Sequence, residues 1–345
     1  MSIKVLIVED SAFMRKVISD MLNSDPAIEV VATANNGIEA LEKIIDFNPD
    51  VITLDVEMPK MNGINTLKQI MINKPTPVVM LSNVTRKDSK ITMEALSLGA
   101  IDFVPKPSGS ISLDLEKVKD KLLKKVKNAN RAKIPVLKTK PSMPIKSPEK
   151  IPEELLPVAD KIIVIGSSTG GPKALEQILT QLPAKLSAGI LIAQHMSEGF
   201  TDPFASRLNH ISHIRVKEAK DGDVIKNGQA LIAPGNRHLK VNKKRVRVTQ
   251  EDPVLHVRPS ANVLMESAVK YYKSNIIGIV LTGMGKDGAQ GMKLIKKAGG
   301  KTIVQDKTTS IIFSMPNSAI KEKAADLIVA LPNMPEQIIS FVQKN

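Results

Sequence analysis

The sequence predicts an α/β protein of two units, each organised on a doubly wound parallel sheet. Short apolar runs rich in Val and Ile alternate with stretches of helical spacing in both halves of the chain. Such unbroken apolar runs are the pattern of strands buried on both faces. Between the halves, a proline- and lysine-rich segment breaks the alternation. A length of 345 residues also suits two cores better than one.

In the first half, strands are expected at Lys4–Val8, Ile28–Ala34, Val51–Leu54, Val78–Leu81 and Ile101–Val104. Helical spacing covers Ala12–Leu22, Gly37–Phe47, Ile64–Ile72, Asp88–Leu98 and a stretch from about Leu113. This (βα)5 order implies right-handed crossovers, with ligands beyond the carboxyl ends of the strands. Those ends carry Glu9-Asp10, Asp55, Ser82 and Lys106-Pro107. Three carboxylates brought to one edge repel one another and suit a hard divalent cation such as Mg2+. A lysine and a hydroxyl beside them suit phosphoryl oxygens. Asp55 is then a carboxylate nucleophile able to form an acyl phosphate. The plainer reading of Glu9 and Asp10 is that they favour the start of the first helix.

From about Asn128 to Asp160, Pro135, Pro141, Pro144, Pro148, Pro152 and Pro157 interrupt any helix, with lysines between them. That composition reads as an extended linker. The second half opens on Lys161-Ile-Ile-Val-Ile-Gly-Ser-Ser-Thr-Gly-Gly-Pro172. Ile162–Ile165 is a buried strand, Gly166–Gly171 a tight turn, and Pro172 stands near a helix start. Further strands are expected at Gly189–Ala193, Ile276–Leu281 and Lys301–Val304, and residues 215–258 are strand-rich. Helices are expected at Phe200–Leu208, Ser260–Tyr272, Ala289–Ala298 and Glu336–Val342.

Three of these strands run into polar turns that carry Ser168, His195 and Asp287. A serine needs a base to become a nucleophile, imidazole serves near neutral pH, and a carboxylate orients the imidazole. If the strands are parallel neighbours, the three groups share one edge. Gly166-Ser167-Ser168-Thr169-Gly170 also has the G-x-S-x-G spacing, with Ser168 central. The order Ser…His…Asp differs from the Ser…Asp…His of α/β-hydrolases. His238 and His256 are the next candidate bases, with His210 and His213 behind them. Asp202, Asp221, Asp223 and Asp306 are rival carboxylates, and Asp287 has a second reading as a cap of the helix that follows it.

Composition narrows the chemistry. The absence of cysteine removes disulfides, thiolate metal sites and Cys nucleophiles. No apolar run approaches the roughly 20 residues of a spanning helix, and the start does not read as a signal peptide, so a cytoplasmic protein without membrane insertion is expected. The net charge of +14 concentrates in Lys117–Lys150 and in Lys240-Val-Asn-Lys-Lys-Arg-Val-Arg247. With no Trp and two Tyr, and no zinc-finger or RNP pattern, nucleic acid is not the expected partner. Solvated faces are the expected meaning, with an acidic protein surface as the other.

The set Glu9/Asp10, Asp55-Val-Glu-Met-Pro-Lys-Met-Asn-Gly63, Ser82 and Lys106-Pro107 resembles a response-regulator receiver domain, which has a flavodoxin-like fold. The resemblance implies Asp55 as phosphoacceptor, Glu9, Asp10 and Asp55 as Mg2+ ligands, and Ser82 and Lys106 as switch residues. Asn62 stands where many relatives place an acid. After the linker come Gly166–Gly171, Gln194-His195-Met196, Ile232-Ala-Pro-Gly-Asn-Arg-His238, Leu281-Thr-Gly-Met-Gly-Lys-Asp-Gly288, Gln305-Asp306 and Ser314-Met-Pro316. Together with the receiver, these are similar to the chemotaxis protein-glutamate methylesterases, the CheB family. The resemblance divides the chain into a receiver (1–125), a basic linker (126–158) and a catalytic domain (159–345).

It implies Ser168 as nucleophile, His195 as base, Asp287 as orienting acid, and Thr169 and Met284 near the oxyanion. It further implies hydrolysis of glutamyl methyl esters on chemoreceptors, deamidation of receptor glutamines, and a chemotaxis histidine kinase as phosphodonor, with no cofactor for the esterase. The expected regulation is a receiver that covers the Ser168 edge until Asp55 is phosphorylated. The rival expectations are a non-enzymatic, phosphorylation-controlled anion-binding module and, far behind, a DNA-binding regulator.

Overall fold

In a computed structural model of the chain, residues 2–83, 85–106, 112–132, 134 and 148–343 are described. The chain divides into two compact units, Met1–Pro141 and Ser142–Asn345. Pro107, Pro135, Pro141 and Pro144 lie outside the described residues.

The first unit alternates β1 (Ile3–Val8), α1 (Ala12–Asn23), β2 (Ile28–Ala34), α2 (Gly37–Phe47), β3 (Val51–Asp55), α3 (Gly63–Asn73), β4 (Val78–Ser82), α4 (Arg86–Ser97), β5 (Asp102–Pro105) and α5 (Ser112–Asn130). Its parallel sheet has the order β2-β1-β3-β4-β5. The strand order reverses at β1 and β3, so their carboxyl ends flank the crevice where ligands bind on such sheets. β3 and β4 are buried along their whole length, as their apolar runs require. α1 is capped by Ser11, whose hydroxyl accepts from the Met14 N–H, so Glu9 and Asp10 are not needed as caps. α4 starts two residues before the expected Asp88 because Thr85 caps it from the Asp88 N–H at 3.0 Å. α5 continues to Asn130, just past the expected start of the linker near Asn128 and short of the first of its prolines, Pro135.

The second unit follows with β6 (Ile162–Ser167), α6 (Gly171–Leu179), β7 (Gly189–Gln194), α7 (Thr201–Ile211), β8 (Arg215–Glu218), β9 (Gln229–Ile232), β10 (His238–Asn242), β11 (Arg245–Thr249), α8 (Ala261–Tyr272), β12 (Ile276–Val280), α9 (Ala289–Lys297), β13 (Lys301–Gln305), α10 (Ser314–Lys321), β14 (Leu327–Val329) and α11 (Met334–Gln343). Among the described residues, a seven-stranded parallel sheet has the order β14-β13-β12-β6-β7-β9-β8. β10 and β11 form a separate antiparallel ribbon. The strand-rich region therefore serves two structures: its first half extends the sheet, and its second half packs β10 on α8.

β6 is the centre of this sheet, and Ile162, Ile163, Val164 and Ile165 are fully buried. Each such side chain contributes roughly 1.5–3 kcal/mol of transfer free energy. α10 and β14 were not legible beforehand: α10 is short and holds Pro316, and β14 is a three-residue edge strand with Leu327 and Ile328 exposed. Leu156 and Ala159 are buried in this unit, and the Ala159 N–H donates to Ile225 C=O at 2.9 Å. The end of the expected linker is thus part of the second core.

Candidate active site

Three neighbouring strands deliver the site. β12 pairs with β6 and β6 with β7, all parallel, so their carboxyl ends lie side by side. From β6 the chain winds one way to β7, and β12 lies on its other side, which makes the β12/β6 crevice the switch point.

Ser168 is the first residue beyond β6, in the turn before α6. Its backbone is held on three sides. Its N–H donates to Thr282 C=O at 3.1 Å, and its C=O accepts from the Gly171 N–H at 2.8 Å and from Gln194 Nε2 at 3.0 Å. Gly170 turns the chain with φ 77°, a conformation that costs a side-chain-bearing residue, and leads into α6. Ser168 is partly exposed, whereas Ser167 is fully buried and donates from Oγ to Gln194 Oε1 at 2.7 Å. The two serines are thereby separated in role: Ser167 is tied into the scaffold and Ser168 faces the edge.

His195 follows β7 directly. Its N–H donates to Ser167 C=O at 2.9 Å, and its C=O shares Gln194 Nε2 with that of Ser168, at 3.1 Å. One buried amide thus ties the Ser168 turn to the His195 turn. His195 Nε2 lies 2.8 Å from Asp287 Oδ2. A carboxylate only accepts, so this contact puts the hydrogen on Nε2 and leaves Nδ1 as the basic nitrogen.

Asp287 lies in the turn after β12 and is 2% exposed. It does not cap α9, the helix after it. Its Oδ1 accepts from Ser260 Oγ at 2.8 Å and from the Asn262 N–H at 3.0 Å, and its Oδ2 accepts from the Ala261 N–H at 2.6 Å. It is therefore seated on the amino end of α8, where the helix dipole favours an anion. The start of α9 is held in return by Asn262 Oδ1, which accepts from the Gly288 and Gly291 N–H groups. Burial alone would raise the Asp287 carboxyl, but His195, the Asn262 N–H and the Ser260 hydroxyl outweigh it and hold the group below the ordinary carboxylate range.

The loop between Thr282 and Asp287 closes the site. Thr282 Oγ1 donates to a C=O and accepts from the Ile312 N–H at 2.9 Å; Thr169 and Ile312 offer the carbonyls within 3.0 and 3.2 Å. Ser314 Oγ clamps both the N–H and C=O of Gly285, beside the 40%-exposed Met284. Gly283 is required by close approach: a Cβ there would stand 2.6 Å from Ser168 Cβ and 2.4 Å from Met315 Sδ. Gly283→Ala is expected to lower turnover by about 100-fold while costing only about 1–3 kcal/mol of stability, as overpacking does. Turnover measured beside a thermal melt checks this, and turnover within threefold of the parent contradicts it.

The receiver-like unit carries a second polar cluster. Ligand oxygens of Glu9, Asp10 and Asp55 lie within 4.8 Å of one another. Lys106 Nζ bridges Glu9 and Asp55, at 2.7 Å from each. Asp55 follows four buried residues of β3, and burial and the Glu9 charge push it up to about 6 against the pull of Lys106. Burial works against the Lys106 charge, but Asp55 and Glu9 more than offset it. Ser82 is fully buried at the end of β4, where its hydroxyl donates to Asn83 C=O at 3.1 Å and accepts from Thr92 at 2.8 Å. Asn62 caps α3 through the Asn65 N–H. An all-carboxylate donor set of this kind fits a hard cation.

The comparisons with known proteins agree with both halves. A family model described as CheB methylesterase matches residues 163–338, and one described as response regulator receiver domain matches residues 5–116. The protein-glutamate methylesterase/protein-glutamine glutaminase of Pyrococcus horikoshii is 46% identical, over 99% of this chain and 94% of that protein. The chain belongs to the CheB methylesterase family. The enzyme of the same name from Geobacillus kaustophilus is also 46% identical, over 99% of both chains. The crystal structure of the Thermotoga maritima CheB methylesterase catalytic domain is 42% identical, covers 52% of this chain and 98% of that one, and superposes with a TM-score of 0.51. As a CheB-type hydrolase with a receiver domain, the chain has the two-unit α/β architecture expected from its sequence.

Sequence reasoning about this CheB-family chain missed the supports of the site. In the sequence, Gln194 stands only as part of a motif and Ser260 only as a helix start. Asn262 carries no signal in the sequence, and Thr282 and Ser314 stand within motifs without a stated role, because their partners are 26 to 113 residues away. The basic stretch Lys240–Arg247 is not at the site. Lys240, Lys244 and Arg247 pair with Glu251, Asp160 and Asp221. His210 lies in α7, His256 is exposed beyond β11, and neither is hydrogen-bonded to Asp287. No helix among the described residues is long and apolar enough to cross a membrane.

Proposed function

We propose that this protein hydrolyses glutamyl methyl esters on chemoreceptors, releasing methanol, deamidates receptor glutamines, and is activated by phosphorylation of Asp55. The observation that carries the reading is the 2.8 Å contact of His195 Nε2 with a buried Asp287, beside a backbone-clamped, partly exposed Ser168. Ser168 Oγ attacks the ester carbonyl as its proton passes to His195 Nδ1, and Asp287 stabilises the resulting imidazolium. Thr169 and Met284 N–H groups are the proposed donors to the oxyanion. Collapse breaks the bond to the methoxy oxygen, which takes the proton from His195 and leaves as methanol. Water, deprotonated by His195, then attacks the acyl-serine and frees the glutamate carboxylate. With a glutamine substrate the same route expels ammonia. No step requires a cofactor.

In the receiver, Glu9, Asp10 and Asp55 would hold Mg2+, which neutralises charge on a transferring phosphoryl group. Asp55 is the acceptor and Lys106 the cation for phosphoryl oxygens. Ser82 must exchange Asn83 C=O for the phosphoryl group to act as a switch residue. The phosphodonor is a chemotaxis histidine kinase, and the reaction is cytoplasmic.

Acyl-phosphate formation needs ionised Asp55, so its rate is expected to fall as pH drops below about 6, where burial holds the proton. The linkage has the opposite sign for stability. The folded chain binds more protons than the unfolded chain between about pH 4 and 6, so this contribution is lost as pH rises through 6. Rates with a small phosphodonor from pH 5 to 8, at limiting and saturating Mg2+, check the point. Mg2+ is expected to move the midpoint to lower pH by favouring the charged form.

The functional test measures methanol release from methylated receptor by the parent, Ser168→Ala and Asp55→Ala, with and without a phosphodonor. The reading expects Ser168→Ala to be inactive and Asp55→Ala to be active but unstimulated. Full activity in Ser168→Ala sinks the triad, and stimulation of Asp55→Ala equal to the parent sinks the switch.

A further inference from the structure

His238, the first residue of β10, is fully buried and has no place in the reaction above. Both of its ring nitrogens are engaged. Nε2 lies 3.0 Å from Asp252 C=O, and Nδ1 lies 3.2 Å from the Ser260 N–H. A carbonyl only accepts and an amide N–H only donates, so the two contacts together admit one species: a neutral imidazole with its hydrogen on Nε2. The ring ties the segment before α8 to the N-cap residue of that helix.

That N-cap is the seat of Asp287. Ser260 Oγ, the Ala261 N–H and the Asn262 N–H supply three of the four hydrogen bonds that hold the carboxylate, and His195 supplies the fourth. Rotating Ser260 therefore moves two neighbouring donors and the carboxylate together. The segment from Asp252 to Ser260 is otherwise a loop, with Leu255 and His256 at positive φ, so its path does not fix Ser260 by regular secondary structure.

We propose that His238 is a positioning residue for the triad: by accepting from the Ser260 N–H it sets the first turn of α8, and through it the orientation of Asp287 and the tautomer of His195. The assignment rests on the esterase reading above. Catalytic supports of this kind act through their neighbour, not on the substrate.

The test is a double-mutant cycle in the full-length protein, with kcat and KM for methanol release. His238→Leu removes the acceptor, and His238→Asn keeps one at the δ position. His238→Leu is expected to lower kcat about tenfold or more at nearly constant KM, with His238→Asn recovering most of it. In an Asp287→Ala background the same His238→Leu change is expected to alter kcat less than about twofold, since its route of action is gone. Equal losses in both backgrounds, or equal losses for Leu and Asn, overturn the proposal. A second readout needs no turnover. Imidazole nitrogen spectra of the folded proteins are expected to show His195 protonated on Nε2 in the parent and mixed tautomers in His238→Leu. An unchanged His195 signature in that variant overturns the proposal even if methanol release fails in the parent, a failure that would count against the esterase reading alone.

Discussion

Ser168→Ala is expected to lower methanol release by about 10^4-fold or more, a loss of about 5 kcal/mol of transition-state stabilisation, with the fold unchanged. Both halves of that expectation come from where the residue's bonds lie. The structural bonds of Ser168 are made by its backbone, to Thr282 C=O, Gly171 N–H and Gln194 Nε2. Alanine keeps all three, so the turn survives while the attacking oxygen is gone. Ser167→Ala is the informative companion. It deletes a buried hydroxyl bonded to Gln194 Oε1 and leaves that oxygen short of a partner, a cost of about 1–3 kcal/mol in stability. Gln194 also holds the Ser168 and His195 carbonyls, so activity falls too, but by far less than for Ser168→Ala. Rates and thermal melts of the two variants decide which serine is the nucleophile. A Ser168→Ala protein more active than Ser167→Ala would reverse the assignment.

Asp287→Asn is expected to lose about 10^3–10^4-fold in kcat, because an amide in this seat cannot satisfy its surroundings. The carboxylate accepts four hydrogen bonds and donates none. An asparagine amide must put its NH2 either in place of Oδ1, against the Asn262 N–H and the Ser260 hydroxyl, or in place of Oδ2, against the Ala261 N–H and His195 Nε2. The first choice opposes two donors, and the second forces the imidazole hydrogen onto Nδ1, the nitrogen needed as base. Asp287→Ala leaves Ser260, Ala261 and Asn262 donors at a buried helix end without their acceptor, and a stability loss of about 3–5 kcal/mol is expected. Asn is thus the catalytic probe and Ala the structural one. Should Asp287→Asn retain more than a tenth of the parent turnover, the orienting role of Asp287 fails. Should Asp287→Ala melt with the parent, its role as the seat of α8 fails.

Much of this protein was legible from residue order. The buried strands announce themselves, because a strand covered on both faces draws mostly on apolar residues: β3, β4, β6, β7 and β12 are buried throughout. Since crossovers on such sheets return parallel strands, residues just after each strand are gathered at one edge. That is why Glu9, Asp10, Asp55 and Lys106 were identifiable as one cluster, and why Ser168, His195 and Asp287 were identifiable as another. The weak elements were not legible. α10 and β14 are short, and their stability comes from what they lie against, as in the Gly283 N–H bond to Ile312 C=O beside α10 and the pairing of β14 with β13.

What only the tertiary structure decided is how the three candidate groups are held. The sequence leaves Asp287 with two roles, cap of the next helix or orienter of His195. The structure places it on a different helix, α8, and hands the capping of α9 to Asn262. It distinguishes Ser168 from Ser167 by burial, and the imidazole nitrogens of His195 by the direction of Asp287. None of this is periodic or local. Hydrogen bonds between residues 26 to 113 apart depend on chain geometry that no spacing records. Local pattern determined which residues reach the edge; long-range hydrogen bonding decided which atom of each faces the chemistry.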